Sequence, residues 1–147
     1  ETGMDVVVAH PPGFDLDPKY VKISQEYGDT YGGSFKIVND LKEACEGADV
    51  VYAKSWGVRR LLPPESPEPS LEKAKAEFEK YRHWIINQEI MDLTRKHSIY
   101  MHCLPADRGF EVTDEVIDGP HSVVIDEAEN RLHAQKAYMA LTMGGLP

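Results

Sequence analysis

The chain has 147 residues, a formal net charge of −9 and a pI near 5.1. That length allows one domain that buries roughly 68–70% of the surface its unfolded chain exposes, with no room for a second. The acidic balance argues against nucleic acid or an anionic membrane as partner, since either requires a basic face. No run approaches the ~20 apolar residues of a membrane span, and the acidic Glu1-Thr-Gly start is unlike a secretory signal.

Asp5-Val-Val-Val-Ala-His10 reads as a buried parallel strand. Such a strand needs earlier chain beside it, so the expectation is a fragment of a longer polypeptide lacking its first strand. Pro11-Pro-Gly leads to a helix from about Pro18 to Tyr27, with Tyr20, Ile23 and Tyr27 at helical spacing and Pro18 in the first turn. Gly28 to Gly33 breaks it, and Ser34 to Val38 is a short strand. Asp40 with Glu43 forms a capping-box signature for a helix ending near Gly47. Asp49 to Ala53 is the third strand. Lys54-Ser-Trp-Gly57 opens a long excursion in which Pro63, Pro64, Pro67 and Pro69 forbid regular structure until Ser70 caps a charged helix over Leu71 to Trp84. Asn87 caps the next helix, to about His97. The fourth strand is 98–104, Thr113 caps a short helix to Asp118, Ser122 to Ile125 is a fifth strand, and a closing helix runs over 127–143. Strands alternating with helices predict an α/β fold, a three-layer doubly wound parallel sheet of the Rossmann-like kind.

In such sheets ligands bind at the carboxyl ends of strands. His102-Cys103-Leu104-Pro105 lies at one such end, and Pro105 removes a donor and fixes φ, setting the direction of the Cys103 and Leu104 carbonyls. Two adjacent carbonyls accept hydrogen bonds from an NH2 group. Arg131, placed on the first turn of the closing helix, adds a planar fork for a phosphate or carbonyl oxygen, reinforced by the helix dipole.

Met101-His-Cys-Leu-Pro105, Val124-Ile-Asp-Glu-Ala-Glu-Asn-Arg131-Leu-His-Ala-Gln-Lys136 and Ala48-Asp-Val-Val-Tyr-Ala-Lys-Ser-Trp-Gly57 together resemble the second, amino-acid-binding domain of the ornithine carbamoyltransferase family. The Lys-Ser-Trp-Gly segment is more similar to the knotted branch that acts on N-acetylornithine or N-succinylornithine. The resemblance implies transfer of a carbamoyl group from carbamoyl phosphate to an amine, with most phosphate ligands supplied by an N-terminal domain absent here. By the same match Cys103 and Leu104 orient the carbamoyl group within the His102 to Pro105 motif, the Cys103 thiol lies near the attacking amine, and Arg131 stabilises charge on the oxygens. Lys54, at the head of Lys-Ser-Trp-Gly, is a further candidate for substrate binding, and Lys75 a candidate for the amino-acid carboxylate. The resemblance implies a cytoplasmic trimer, no cofactor, and no activity in the isolated fragment. Two departures stand out: Ala106-Asp107-Arg108 follows Pro105 where N-acetylornithine enzymes are more basic, and the Pro63–Pro69 segment is longer.

Each residue also has a plainer reading. Cys103 at a strand end reads as a buried small hydrophobe rather than a nucleophile. His102 and His133 lack the second close pair that a zinc set requires. Arg131 amid Glu127 and Glu129 reads as an ion-paired surface residue, and Trp56 as core. Lys73 with Glu77 and Lys75 with Glu79 read as a solvated helix face. Cys45 and Cys103 show no disulfide spacing, which suits a reducing compartment. The alternative to catalysis is a Rossmann-like binding or assembly module derived from a carbamoyltransferase. A receiver-like module is disfavoured, because His10-Pro11-Pro12 stands where its acidic pocket belongs.

Overall fold

The computed structural model describes residues 3–54, 76 and 78–144. The chain forms two compact units, the first comprising 1–47 with 57–84 and the second 48–56 with 85–147. The fold is α/β, and its strands are parallel.

In the first unit, β1 (Asp5–Ala9) pairs in parallel with β2 (Ser34–Val38), Asp5 opposite Ser34 and Ala9 opposite Val38. The crossover between them is α1 (Pro18–Tyr31), with Pro18 in its first turn and Asp17 accepting from the Lys19 N–H at 2.8 Å. This helix runs one turn beyond the expected stop at Tyr27. Gly28 does not break it; the helix ends where Gly32 takes a left-handed φ of 79°. Gly33 follows because a Cβ there would lie 2.2 Å from the Met4 carbonyl oxygen. Asp40 then caps α2 (Leu41–Cys45), its Oδ1 accepting from the Lys42 and Glu43 N–H groups. The reciprocal half of the predicted capping box does not form, because the Glu43 carboxylate pairs with Lys36 instead. Val38, Cys45 and Phe78 are buried here.

In the second unit, β3 (Val50–Ala53) pairs in parallel with β4 (Ile99–His102). Between them lies α3 (Gln88–Met91), capped by Asn87 Oδ1 on the Ile90 N–H at 3.0 Å and shorter than the predicted run to His97. After β4 come α4 (Asp114–Ile117) and α5 (Val124–Met143). Thr113 stands at the start of α4 without a side-chain capping bond, a correction to its expected role. The core of this unit gathers Val51, Ile86, Ile90, Met91, Tyr100, Val112, Val116, Ile117 and Val124.

The expected fifth strand shrinks to a single parallel bridge between Tyr100 and Ser122. His121 accepts from the Tyr100 N–H, and the Val123 N–H donates to the Tyr100 oxygen. The Glu127 N–H then bonds the Val123 oxygen, and the helix has begun. The β-branched run Val123-Val124-Ile125 thus enters α5 against its strand propensity, because the helix starts three residues earlier than the sequence pattern indicates. No described helix is long and apolar enough to cross a membrane.

Candidate functional site at the end of strand β4

Tyr100 and His102 share one face of β4, and both are buried, at 0% and 1% exposure. Burying an imidazole carries a cost unless both nitrogens find partners. His102 Nε2 lies 2.9 Å from Glu111 Oε2, and His102 Nδ1 lies 2.9 Å from the Leu104 backbone nitrogen. Glu111 Oε2 also accepts from the Asp107 N–H at 3.2 Å. His102 was expected to bind substrate; its ring is instead enclosed, with both nitrogens engaged by the protein. It positions the loop that follows.

That loop is set in an uncommon conformation. Leu104 has a φ of 46°, and the Leu104–Pro105 peptide is cis. For a non-glycine residue the left-handed region costs roughly 1–2 kcal/mol, so something must hold Leu104 there. The hydrogen bond from its N–H to His102 is one such restraint. Among the described residues nothing donates to the Cys103 or Leu104 carbonyl oxygen. Two adjacent acceptors at a strand end thus have no donor among the described residues.

Cys103 is exposed, contrary to the buried reading that its strand-end position favours. Its Sγ lies 3.5 Å from Lys54 Nζ, at the end of the neighbouring strand. The buried thiol is Cys45, whose pKa burial raises from 9.0 to about 11.

Two residues outside the sequence-based set tie this corner together. Glu127, in the first turn of α5, accepts from the Tyr52 hydroxyl at 2.8 Å through Oε1 and from the His102 N–H at 3.1 Å through Oε2. Its side chain takes the place a continuing fifth strand would have occupied beside β4. By accepting the Tyr52 proton, Glu127 pushes that hydroxyl up to about 12. Glu111 carries only a faint signal, an ionisable residue between Phe110 and Val112.

Arg131 occupies a different place from the one expected. Since α5 begins at Val124, Arg131 lies about two turns in, beyond the first turn where the dipole acts, so the dipole does not reinforce it. It stands four residues after Glu127, hence on the same helix face. Glu127 is engaged with Tyr52 and His102, and Glu129 with His133, at 3.1 Å. Among the described residues Arg131 has no ion pair, so the surface-pair reading does not hold. Arg108, by contrast, is fully engaged: it forks onto Asp118 and also contacts Asp114 at 2.7 Å. This pairing holds the Asp118 carboxyl below its usual range. The structure thus brings together Lys54, His102, Cys103, Leu104 and Pro105, with Arg131 on the helix anchored to His102. Lys75, Trp56 and the Pro63–Pro69 segment lie outside the described residues.

Residues 1–142 match the family model "Aspartate/ornithine carbamoyltransferase, Asp/Orn binding domain". The chain is 44% identical over 144 residues to an ornithine carbamoyltransferase of Thermococcus kodakarensis, covering 98% of this chain and 43% of that protein. The solved ornithine carbamoyltransferase from Pyrococcus furiosus superposes with a TM-score of 0.84 at 43% identity, covering 99% of this chain and 44% of that one. An acetylornithine transcarbamylase complexed with acetylcitrulline gives 0.78 at 41% identity, covering 95% and 40%. The chain spans less than half the length of these relatives. It belongs to the aspartate/ornithine carbamoyltransferase family, through that family's Asp/Orn-binding domain.

Proposed function

We propose that this chain is the amino-acid-binding half of an enzyme that transfers a carbamoyl group from carbamoyl phosphate to the amine of ornithine or of an N-acylated ornithine. The observation that carries this reading is the pair of open carbonyl oxygens on Cys103 and Leu104, held at the end of β4 by the bond from the Leu104 N–H to His102. A carbamoyl NH2 donates to that pair, which turns the carbonyl carbon toward an amine beside the Cys103 thiol. The amine nitrogen attacks, a tetrahedral intermediate forms, the carbon–oxygen bond to phosphate breaks, phosphate leaves, and the nitrogen loses a proton. Arg131 offsets charge on the oxygens, Lys54 serves substrate binding, and Lys75 the carboxylate of the acceptor. Positioning with electrostatic stabilisation suffices, without a covalent enzyme intermediate.

The acceptors named for relatives include both ornithine and acetylornithine enzymes, so both classes are carried forward. The Arg108 pairing with Asp114 and Asp118 removes the one cation of the Ala106–Arg108 segment from acceptor recognition. The finer reading is a cytoplasmic trimer of the knotted branch, serving arginine biosynthesis and completed by an N-terminal carbamoyl-phosphate domain. The test is to mix the full-length protein with carbamoyl phosphate and ornithine, N-acetylornithine or N-succinylornithine, and to follow phosphate release. Release with one amine is expected. A folded protein that releases none with any of the three defeats the proposal, and turnover by the 147-residue chain alone would contradict the two-domain reading.

A further inference from the structure

Glu111 lies in the loop between β4 and α4, is 4% exposed, and touches neither open carbonyl. Its importance follows from the direction of the hydrogen bonds around it. A backbone N–H only donates, so His102 Nδ1 accepts from Leu104 and carries no proton. The ring proton therefore sits on Nε2 and is donated to Glu111 Oε2. That oxygen receives a second N–H from Asp107, while Oε1 is buried without a partner among the described residues. Glu111 Oε2 thus accepts from both the His102 ring and the Asp107 N–H.

Resting on the carbamoyl-cradle reading above, we propose that Glu111 is a positioning residue for carbamoyl transfer. By accepting at Oε2, it fixes His102 as the Nε2–H tautomer, leaves Nδ1 free to hold the Leu104 N–H, and so sets the direction of the Cys103 and Leu104 carbonyls. The choice of carboxylate over amide matters. A glutamine can turn its NH2 toward Nε2, which selects the Nδ1–H form of the ring. Two donors then face each other between His102 and Leu104, and the restraint on the left-handed Leu104 is lost.

The experiment uses the full-length enzyme. Glu111→Gln is expected to lower kcat/KM for carbamoyl phosphate by about 10–100-fold, the range seen when an outer partner that orients a ligating imidazole is removed. The decisive arm is the double variant with His102→Asn. Asparagine Oδ1 takes the place of Nδ1, accepts the N–H two residues on as in an Asx turn, and has no tautomers. The Glu111→Gln/His102→Asn enzyme is expected to be more active than Glu111→Gln alone, a rescue that a purely structural role does not produce. A Glu111→Gln enzyme with wild-type kinetics overturns the inference, as does a folded double variant no better than the single one. Should the variants fail to fold, 15N-histidine spectra of the wild-type protein decide: neutral Nε2–H at His102 is expected, and Nδ1–H or a doubly protonated ring overturns the inference. Absence of carbamoyl transfer in the wild type defeats the functional reading separately.

Discussion

Both units end a parallel strand in a buried histidine followed closely by proline, yet the two rings are wired in opposite senses. His10 Nδ1 lies 2.9 Å from the Pro11 carbonyl, which only accepts, so here Nδ1 bears the proton. The loop after β1 is closed further by Asn39, whose side-chain NH2 donates to the His10 oxygen at 2.7 Å. At His102 the same atom accepts, a buried carboxylate stands behind the ring, and the carbonyls that follow are left open. One strand end has its histidine carbonyl bonded, while at the other two successive carbonyls have no donor among the described residues. The difference lies in Glu111, for which the described residues of the first unit offer no counterpart beside His10.

The largest effect that separates the two ends is expected at Arg131. In the full-length enzyme Arg131→Ala should lower kcat by on the order of 10²–10³, as for loss of one oxyanion donor. Because Arg131 is exposed and free of ion pairs among the described residues, its thermal midpoint should hardly move. Unchanged turnover would take Arg131 out of the mechanism.

Next comes stability at the two histidines. His102→Leu removes two buried hydrogen bonds, to Glu111 and to the Leu104 N–H, and should cost about 1–3 kcal/mol, whereas His10→Leu removes one and should cost about 0.5–1.5 kcal/mol. Urea midpoints in the order His10→Leu below His102→Leu would erase the distinction drawn between the strand ends.

Helix caps offer a smaller contrast. Asp40→Ala breaks bonds to two N–H groups and should cost about 0.5–2 kcal/mol. Thr113→Val, in the corresponding position before α4, removes a buried hydroxyl without a partner among the described residues, so no loss of stability, or a gain, is expected. A clear loss from Thr113→Val would show that this cap works after all.

The smallest effect is confined to alkaline pH. Cys45 has its folded pKa raised by burial from 9.0 to about 11, so the stability it lends by staying a thiol is intact below pH 9.0 and lost as pH rises through about 11. Comparing the pH dependence of unfolding in wild type and Cys45→Ala isolates this contribution. Parallel curves over that window would mean that the thiol is solvated.

Local patterns were enough to place β1, β2, the Pro18 start of α1 and the Asp40 cap, because each depends on residues within four or five positions, but β1, expected to be buried, has Asp5 to Val7 exposed. The open carbonyl pair at 103–104 was legible for the same reason, through Pro105. The start of α5 was not. Val123-Val124-Ile125 has strand composition, and its helical fate is set by Tyr100 and His102 on another strand. The error carried over to Arg131, whose place along the helix was misjudged by one turn. The engagement of both His102 nitrogens by the protein was not legible, because its partner, Glu111, stands nine positions away in a loop with no periodicity. Cys103 shows the opposite failure, since composition favours burial and the bend at Leu104 exposes it.

Glu127 holds the β4 end and the first turn of α5 with a single carboxylate, and beyond it the helix continues as a nearly bare rod to Met143. Sixteen residues at 1.5 Å each make a lever arm of about 24 Å. A tilt of roughly 5° at that pivot swings the far tip by about 2 Å. A shift of the Glu127 carboxylate would therefore be felt as a displacement the size of an atom at the opposite extremity of the helix.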